Sequence, residues 1–243
     1  MTRNSFLVIA LSALTFASSA SASAQSGTVN SLSAKSNIFL AGGNSGPTGI
    51  DGFAPYQISI TAGGTGRVAT FGASGSTTCG CLGTQGPDGG PTGNPDTNIN
   101  SWGSIAGISG PGGMFLVGVF LGDQLPLVAP QRRSTSPSAS YFNDILLGQV
   151  FFIGDGLTGT GTGNTQQFWI PDDATKLFLG FVDGGSFQGN PGAYSDNNGA
   201  LVVNWEIQGT TPSTPVPEPA SAGMVLVGGI ALGFMRTRRP RNS

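Results

Sequence analysis

Short runs rich in β-branched and aromatic residues recur through the middle of the chain, at 56–60, 67–71, 114–121, 144–153, 166–170, 176–182 and 200–207. Clusters of Gly, Pro, Asn and Asp punctuate them, and runs of that length and spacing predict strands. The last run is the clearest. Leu201, Val203, Trp205 and Ile207 fall on one face and Val202, Asn204 and Glu206 on the other, the period of two that a half-buried strand requires. No clear amphipathic helix and no fixed-period repeat interrupts the series. The pattern predicts an all-β fold, a single antiparallel β-sandwich over residues 25–209. About 185 residues suffice for one substantial core. The Gly-rich stretches 83–93 and 156–163 read as surface loops, since neither has the spacing of a phosphate-binding loop opening a helix. Arg132 and Arg133 read as solvated in a Pro/Ser-rich loop.

The two ends differ from this middle. Residues 1–24 read as a secretory signal peptide: Arg3 supplies the positive start, 6–17 is a short apolar run, and Ala22-Ser23-Ala24 is a small-residue cleavage site. At the other end, 210–219 is a Pro/Thr/Ser linker. It leads into the uncharged stretch 220–235, predicted to be a transmembrane helix at the short end of the spanning range, and then a basic tail, 236–243. Arginines there hold the extreme C-terminus in the cytoplasm by the positive-inside bias. The expected product is exported, first anchored in the inner membrane by that helix.

Composition narrows the chemistry further. The 243 residues include 41 Gly and 16 Pro, only 10 Lys+Arg and 12 Asp+Glu, and no His. Without His there is no serine-histidine or cysteine-histidine triad, and the commonest general base and metal ligand are missing. Between residues 25 and 217 the net charge is −6, which repels phosphate backbones, so no nucleic-acid partner is expected. No Gly-x-Ser-x-Gly elbow occurs. Asp172 and Asp173 stand adjacent in a turn sequence, without the cleft separation of a glycosidase pair. The chain reads as a non-enzyme. Cys79-Gly80-Cys81 suits an oxidising compartment and is expected to form a small local disulfide, with free thiols, redox work or metal binding as the alternatives.

One constellation carries chemistry. Asp183 stands at the end of the 176–182 run, a Gly-rich excursion follows, and then comes Tyr194-Ser195-Asp196-Asn197-Asn198. One carboxylate, two carboxamides and backbone carbonyls from two loops are the hard oxygen donors that calcium takes in numbers of six to eight. The same residues are also good turn formers, because Asp, Asn and Gly tolerate left-handed backbone. Aromatic rings offer a second route to sugars by stacking; Trp102 and Phe187 lie in loop-like segments suited to it, whereas Trp169 and Trp205 read as core, and for any single one of these rings burial is the expectation.

Two resemblances extend these readings. Val216-Pro217-Glu218-Pro219, the apolar stretch and the arginines Arg236, Arg238 and Arg239 resemble the PEP-CTERM sorting signal of Gram-negative bacteria, also catalogued as an ice-binding-protein C-terminal domain. The resemblance implies that Pro217, Glu218 and Pro219 are recognised by an exosortase, which delivers the protein to an exopolysaccharide-rich cell surface or matrix. Residues 166–207, with Phe168-Trp169-Ile170-Pro171, Leu179-Gly180-Phe181-Val182-Asp183 and the 194–198 segment, look like the end of PA-I-type galactophilic lectins, which are calcium-dependent sandwiches with a galactose-binding-like jelly-roll. Upstream, 69–72 and 86–96 resemble the first metal loop and the sugar loop of that family. Carried over residue by residue, this implies calcium held by the side chains of Asp183, Asn197 and Asn198 and by the backbone oxygens of Phe71 and Tyr194. It also implies a glycan touching Asp183, Asn197, Asn94, Asp96 and Thr97, and the sorting resemblance makes an exopolysaccharide the expected one. Asn94 and Thr97 depart from the family's histidine and glutamine, and the 184–193 excursion is longer. The alternative is a structural or adhesive matrix protein without a specific sugar ligand.

Overall fold

A computed structural model describes residues 23–45, 50–63, 65–80, 82–90 and 96–210. The expected leader, the linker with Pro217, Glu218 and Pro219, the apolar stretch 220–235, the arginines Arg236, Arg238 and Arg239, and Cys81 and Asn94 all lie outside the described residues. Among the described residues no helix is long and apolar enough to cross a membrane. The fold is all-β, with three 3-10 turns, Ile38–Gly43, Gly185–Phe187 and Tyr194–Asp196, between the strands.

Strands are numbered along the chain. The largest sheet is ordered β1 (Ala24–Ser33), β16 (Asn198–Thr210), β3 (Thr65–Cys79), β13 (Gln167–Trp169) and β9 (Tyr141–Phe142), with β4 (Leu82–Gln85) paired to the far end of β3. A second sheet runs β10 (Val150–Phe152), β7 (Leu116–Leu121), β14 (Lys176–Phe181) and β2 (Tyr56–Ser59). A third runs β15 (Gln188–Gly189), β5 (Thr97–Ile99), β6 (Ile108–Gly110) and β8 (Arg133–Ser134). A hairpin joins β11 (Leu157–Gly159) to β12 (Thr162–Thr165). Pairing is mostly antiparallel, as expected, but β13 with β9, β15 with β5 and β6 with β8 run parallel.

The two central strands of the second sheet, β7 and β14, are buried on both faces. Alternation in β7 sends Leu116 and Phe120 into one apolar cluster, shared with Ala69, Phe168, Leu201 and Ile207 of the first sheet. Val117, Val119 and Leu121 go into another, shared with Ile38, Phe39, Ile99 and Ile108. The continuous apolar run at 114–121 therefore reflects cover on two sides. Two glycines permit this closeness. A Cβ on Gly118 would lie 2.6 Å from the Phe151 ring, and one on Gly180 would lie 2.6 Å from the Ser36 carbonyl oxygen.

Several expectations are corrected. The 83–93 stretch contributes β4, and 156–163 forms most of the β11–β12 hairpin rather than a loop. Asp155 organises that hairpin by accepting the N–H groups of Leu157 (2.8 Å) and Gly161 (2.6 Å). Arg133 is not simply solvated: it lies in β8, pairs with Asp144 at 2.6 Å and sits over the Phe142 ring at 5.6 Å. The 144–153 run forms a strand only at Val150–Phe152. Trp102 (7% exposed) and Phe187 (1%) are buried, whereas Trp169 is 42% exposed. The two tryptophans thus exchange the roles their local sequence suggests.

Candidate functional site

The constellation around Asp183 begins where β14 ends. Asp183 is 2% exposed and Asn197 fully buried. The Asp183 Oδ1 atom accepts the Gly184 N–H at 2.7 Å. The Asn197 carboxamide lies beside the Asp183 carboxyl, near enough to favour its ionised form, but donates its own Nδ2–H to the Ala34 carbonyl at 3.3 Å. Asp183 Oδ2 and Asn197 Oδ1 are buried without a donor in hydrogen-bond geometry, the Asn197 carboxamide being a polar neighbour of the carboxyl. Buried acceptors are nearly always satisfied, and a carboxylate left so is costly. Burial, reinforced by the neighbouring carboxylates of Asp196 and Asp51, pushes the Asp183 carboxyl up to about 7.

The surrounding chain holds this pair from several directions. Tyr194 is buried beneath it; its hydroxyl donates to the Phe181 carbonyl (3.0 Å) and accepts the Asp183 N–H (3.1 Å). Burial first, and then the nearby Asp183 carboxyl, raises the phenol's pKa. Asp51 clamps the 194–196 turn by accepting the N–H groups of Tyr194 (3.1 Å) and Ser195 (2.7 Å). Lys35 Nζ donates to the Ser195 carbonyl at 2.9 Å. Sequence reasoning missed Asp51 and Lys35, whose only local signal is an Asp-Gly turn at 51–52. Three of the four described non-glycine residues with positive φ, Ser186, Phe187 and Ala193, lie in or at the end of the excursion after Asp183. Such backbone strain clusters at functional sites.

The expected ligands are only partly brought together. Asp183, Tyr194 and Asn197 converge. Asn198 is exposed and turns its Nδ2–H to the Asp196 carbonyl at 3.2 Å. Phe71 pairs with Trp205, seven residues along β3 from Thr78, the partner of Asn198, which places it roughly 23 Å away at the rise of a strand. Thr97 is buried and gives its hydroxyl to the Gly112 carbonyl at 2.5 Å. Asp96 is exposed, and its carbonyl accepts from Gln188 of the excursion. Among the described residues no group of three or more His, Cys, Asp or Glu side chains gathers for a metal ion. The orphaned pair nevertheless fits a hard cation in donor type. Comparison with protein-family models gives no match, and comparison with curated proteins gives none either.

Proposed function

We propose that the chain is an exported, non-catalytic protein of the cell envelope or extracellular matrix, sorted through its C-terminal signal by an exosortase, with a jelly-roll-like β-sandwich at 25–209 that binds calcium and, dependent on it, a carbohydrate. The observation that carries this reading is the pair of buried oxygens without donors, Asp183 Oδ2 and Asn197 Oδ1. A divalent cation would satisfy both and neutralise the carboxylate. In this role Asp183 and Asn197 hold the ion, the Tyr194 backbone closes the turn beside it, and water or a sugar hydroxyl completes the shell. Gln188 links the excursion to Asp96, so ordering one orders the other.

A second reading is favoured by the depth of the same pair: an ion held by side chains this buried stiffens the excursion without meeting a glycan. Calorimetry with calcium, followed by a glycan array with and without chelator, separates the two. Calcium heat with chelator-sensitive glycan signal supports the first. Calcium heat and a raised Tm without glycan signal support the structural reading. No calcium heat removes both metal roles.

A further inference from the structure

The outward turn of Trp169 follows from its neighbours. Phe168 and Ile170 are buried, so the alternation along β13 sends the indole between them to the outer face of the largest sheet. Its row across that face is Val68 and Gln208. The next row is Thr70, Glu206 and Ser26, with Gln167 on the same side of β13, and the third is Gly72, Asn204 and Thr28. Two concavities on this face, of about 460 and 380 Å³, share Thr70 and Glu206 and so form one trough. Nothing lies within 4 Å of the position a Cβ would take on Gly72, which leaves its floor open.

The polar groups of the trough are held in place. Gln208 Nε2 donates to Glu206 Oε1 at 2.7 Å, and Thr28 Oγ1 donates to Asn204 Oδ1 at 2.7 Å. Among the described residues the second Glu206 oxygen has no such bond, so it is open to a donor from solvent or ligand. Four strands side by side give a face about 14 Å across, and the three rows extend it about 13 Å along the strands.

We propose that this face is a calcium-independent platform for a neutral polysaccharide. An exposed indole supplies a flat apolar surface for the C–H face of a pyranose. The carboxylate, carboxamides and hydroxyls around it match the mixed donors and acceptors of sugar hydroxyls. A polyanion is disfavoured, because the trough's one formal charge is negative and residues 25–217 carry a net −6. Tyr141, paired with Gln167, adds a second exposed ring at the edge of the same face, and Val202 lies further along β16; the carboxylate, amides and hydroxyls between them break up the continuous apolar centre that a protein partner would call for. The platform is separate from the Asp183 pair: Asn197 precedes β16, and Gln208 lies eleven residues along it, roughly 30 Å or more away.

Native affinity gels cast with hydroxyethylcellulose, galactomannan or dextran, with alginate as the acidic comparator and chelator throughout, test the proposal. At least one neutral polymer should retard the protein while alginate does not. Trp169→Ala should weaken that retardation about tenfold, the loss of one stacking contact. Glu206→Gln should weaken it less. Melting curves matching the parent's exclude unfolding as the cause. Absence of retardation by every neutral polymer, retardation unaltered by Trp169→Ala, retardation that requires calcium, or a dimer of this chain that Trp169→Ala dissolves would each overturn it. Because chelator is present, failure here leaves the calcium reading standing, and failure of calcium binding leaves this one standing.

Discussion

Asp183 is a carboxylate in a position that favours a neutral group. Its carboxyl titrates at about 7 in the fold against an ordinary 3.8. Between those values the folded state therefore binds more protons than the unfolded chain, and stability falls as pH rises. Burial is the largest influence and raises its pKa; the Asn197 carboxamide and the Gly184 N–H work against it, Asp196 and Asp51 add to it, and Lys35 is committed to the Ser195 carbonyl. Metal-free protein should accordingly lose on the order of a few kcal/mol between about pH 4 and pH 7, read from urea midpoints in chelator. Calcium should flatten that slope, and a pH-independent midpoint in chelator would count against a buried, uncompensated carboxylate. Asp183→Asn sets an N–H beside the orphaned Asn197 oxygen while keeping an acceptor for Gly184. In chelator at pH 7 it should stabilise by about 1–3 kcal/mol and abolish the calcium response. Destabilisation by this variant would mean that Asp183 already has a partner in solution.

At the scale of strands, the close approach of backbones decides what can be changed. Gly180 in β14 faces the Ser36 carbonyl and the Ile38 N–H across the bridge that seats the 38–43 turn. Gly180→Ala should cost about 1–3 kcal/mol by overpacking, whereas Gly72→Ala, with open space above it, should stay within about 0.5 kcal/mol. Equal effects of the two in denaturant titrations would show that the second sheet yields where its packing says it cannot. Phe168 pins the three-residue β13 by stacking on Phe142 at 4.8 Å and meeting Phe71 and Phe151 at 5.3 Å each. Much of this was legible in the sequence. The alternation at 201–207 appears as read, because one face of β16 is solvated, and the 56–60, 114–121 and 176–182 runs contain β2, β7 and β14. β1 was not legible: Val29 and Leu32 are its only buried apolar side chains, and its polar remainder looks like a segment between elements. Trp169 could have been turned outward on paper, since Phe168 and Ile170 flank it at the strand period. The convergence of Asp51 and Lys35 on the 194–196 turn could not, because contacts spanning more than 140 residues leave no local pattern.

At the scale of the whole described domain, the second sheet belongs to both apolar clusters, so neither can be lost alone. Alternate residues of β7 serve opposite sides, and β14 does the same through Leu177 and Leu179 on one side and Phe178 on the other. Removing either cover would expose half the side chains of a sheet whose two central strands are built for burial on both faces, so unfolding should be a single cooperative transition. The tryptophans allow this to be read locally. Trp102 lies in the cluster beneath the third sheet, and Trp205 packs against the cluster beneath the first. Variants that keep only one of these as fluorescent reporter, with the others changed to Phe, should give coincident denaturant midpoints and slopes. Calcium should move both midpoints by the same amount, because Asp183 lies two residues beyond β14, a strand the two clusters share. Earlier loss of the Trp102 signal would mean that the third sheet detaches on its own, and a calcium shift confined to one reporter would mean that the ion steadies only the 184–193 excursion.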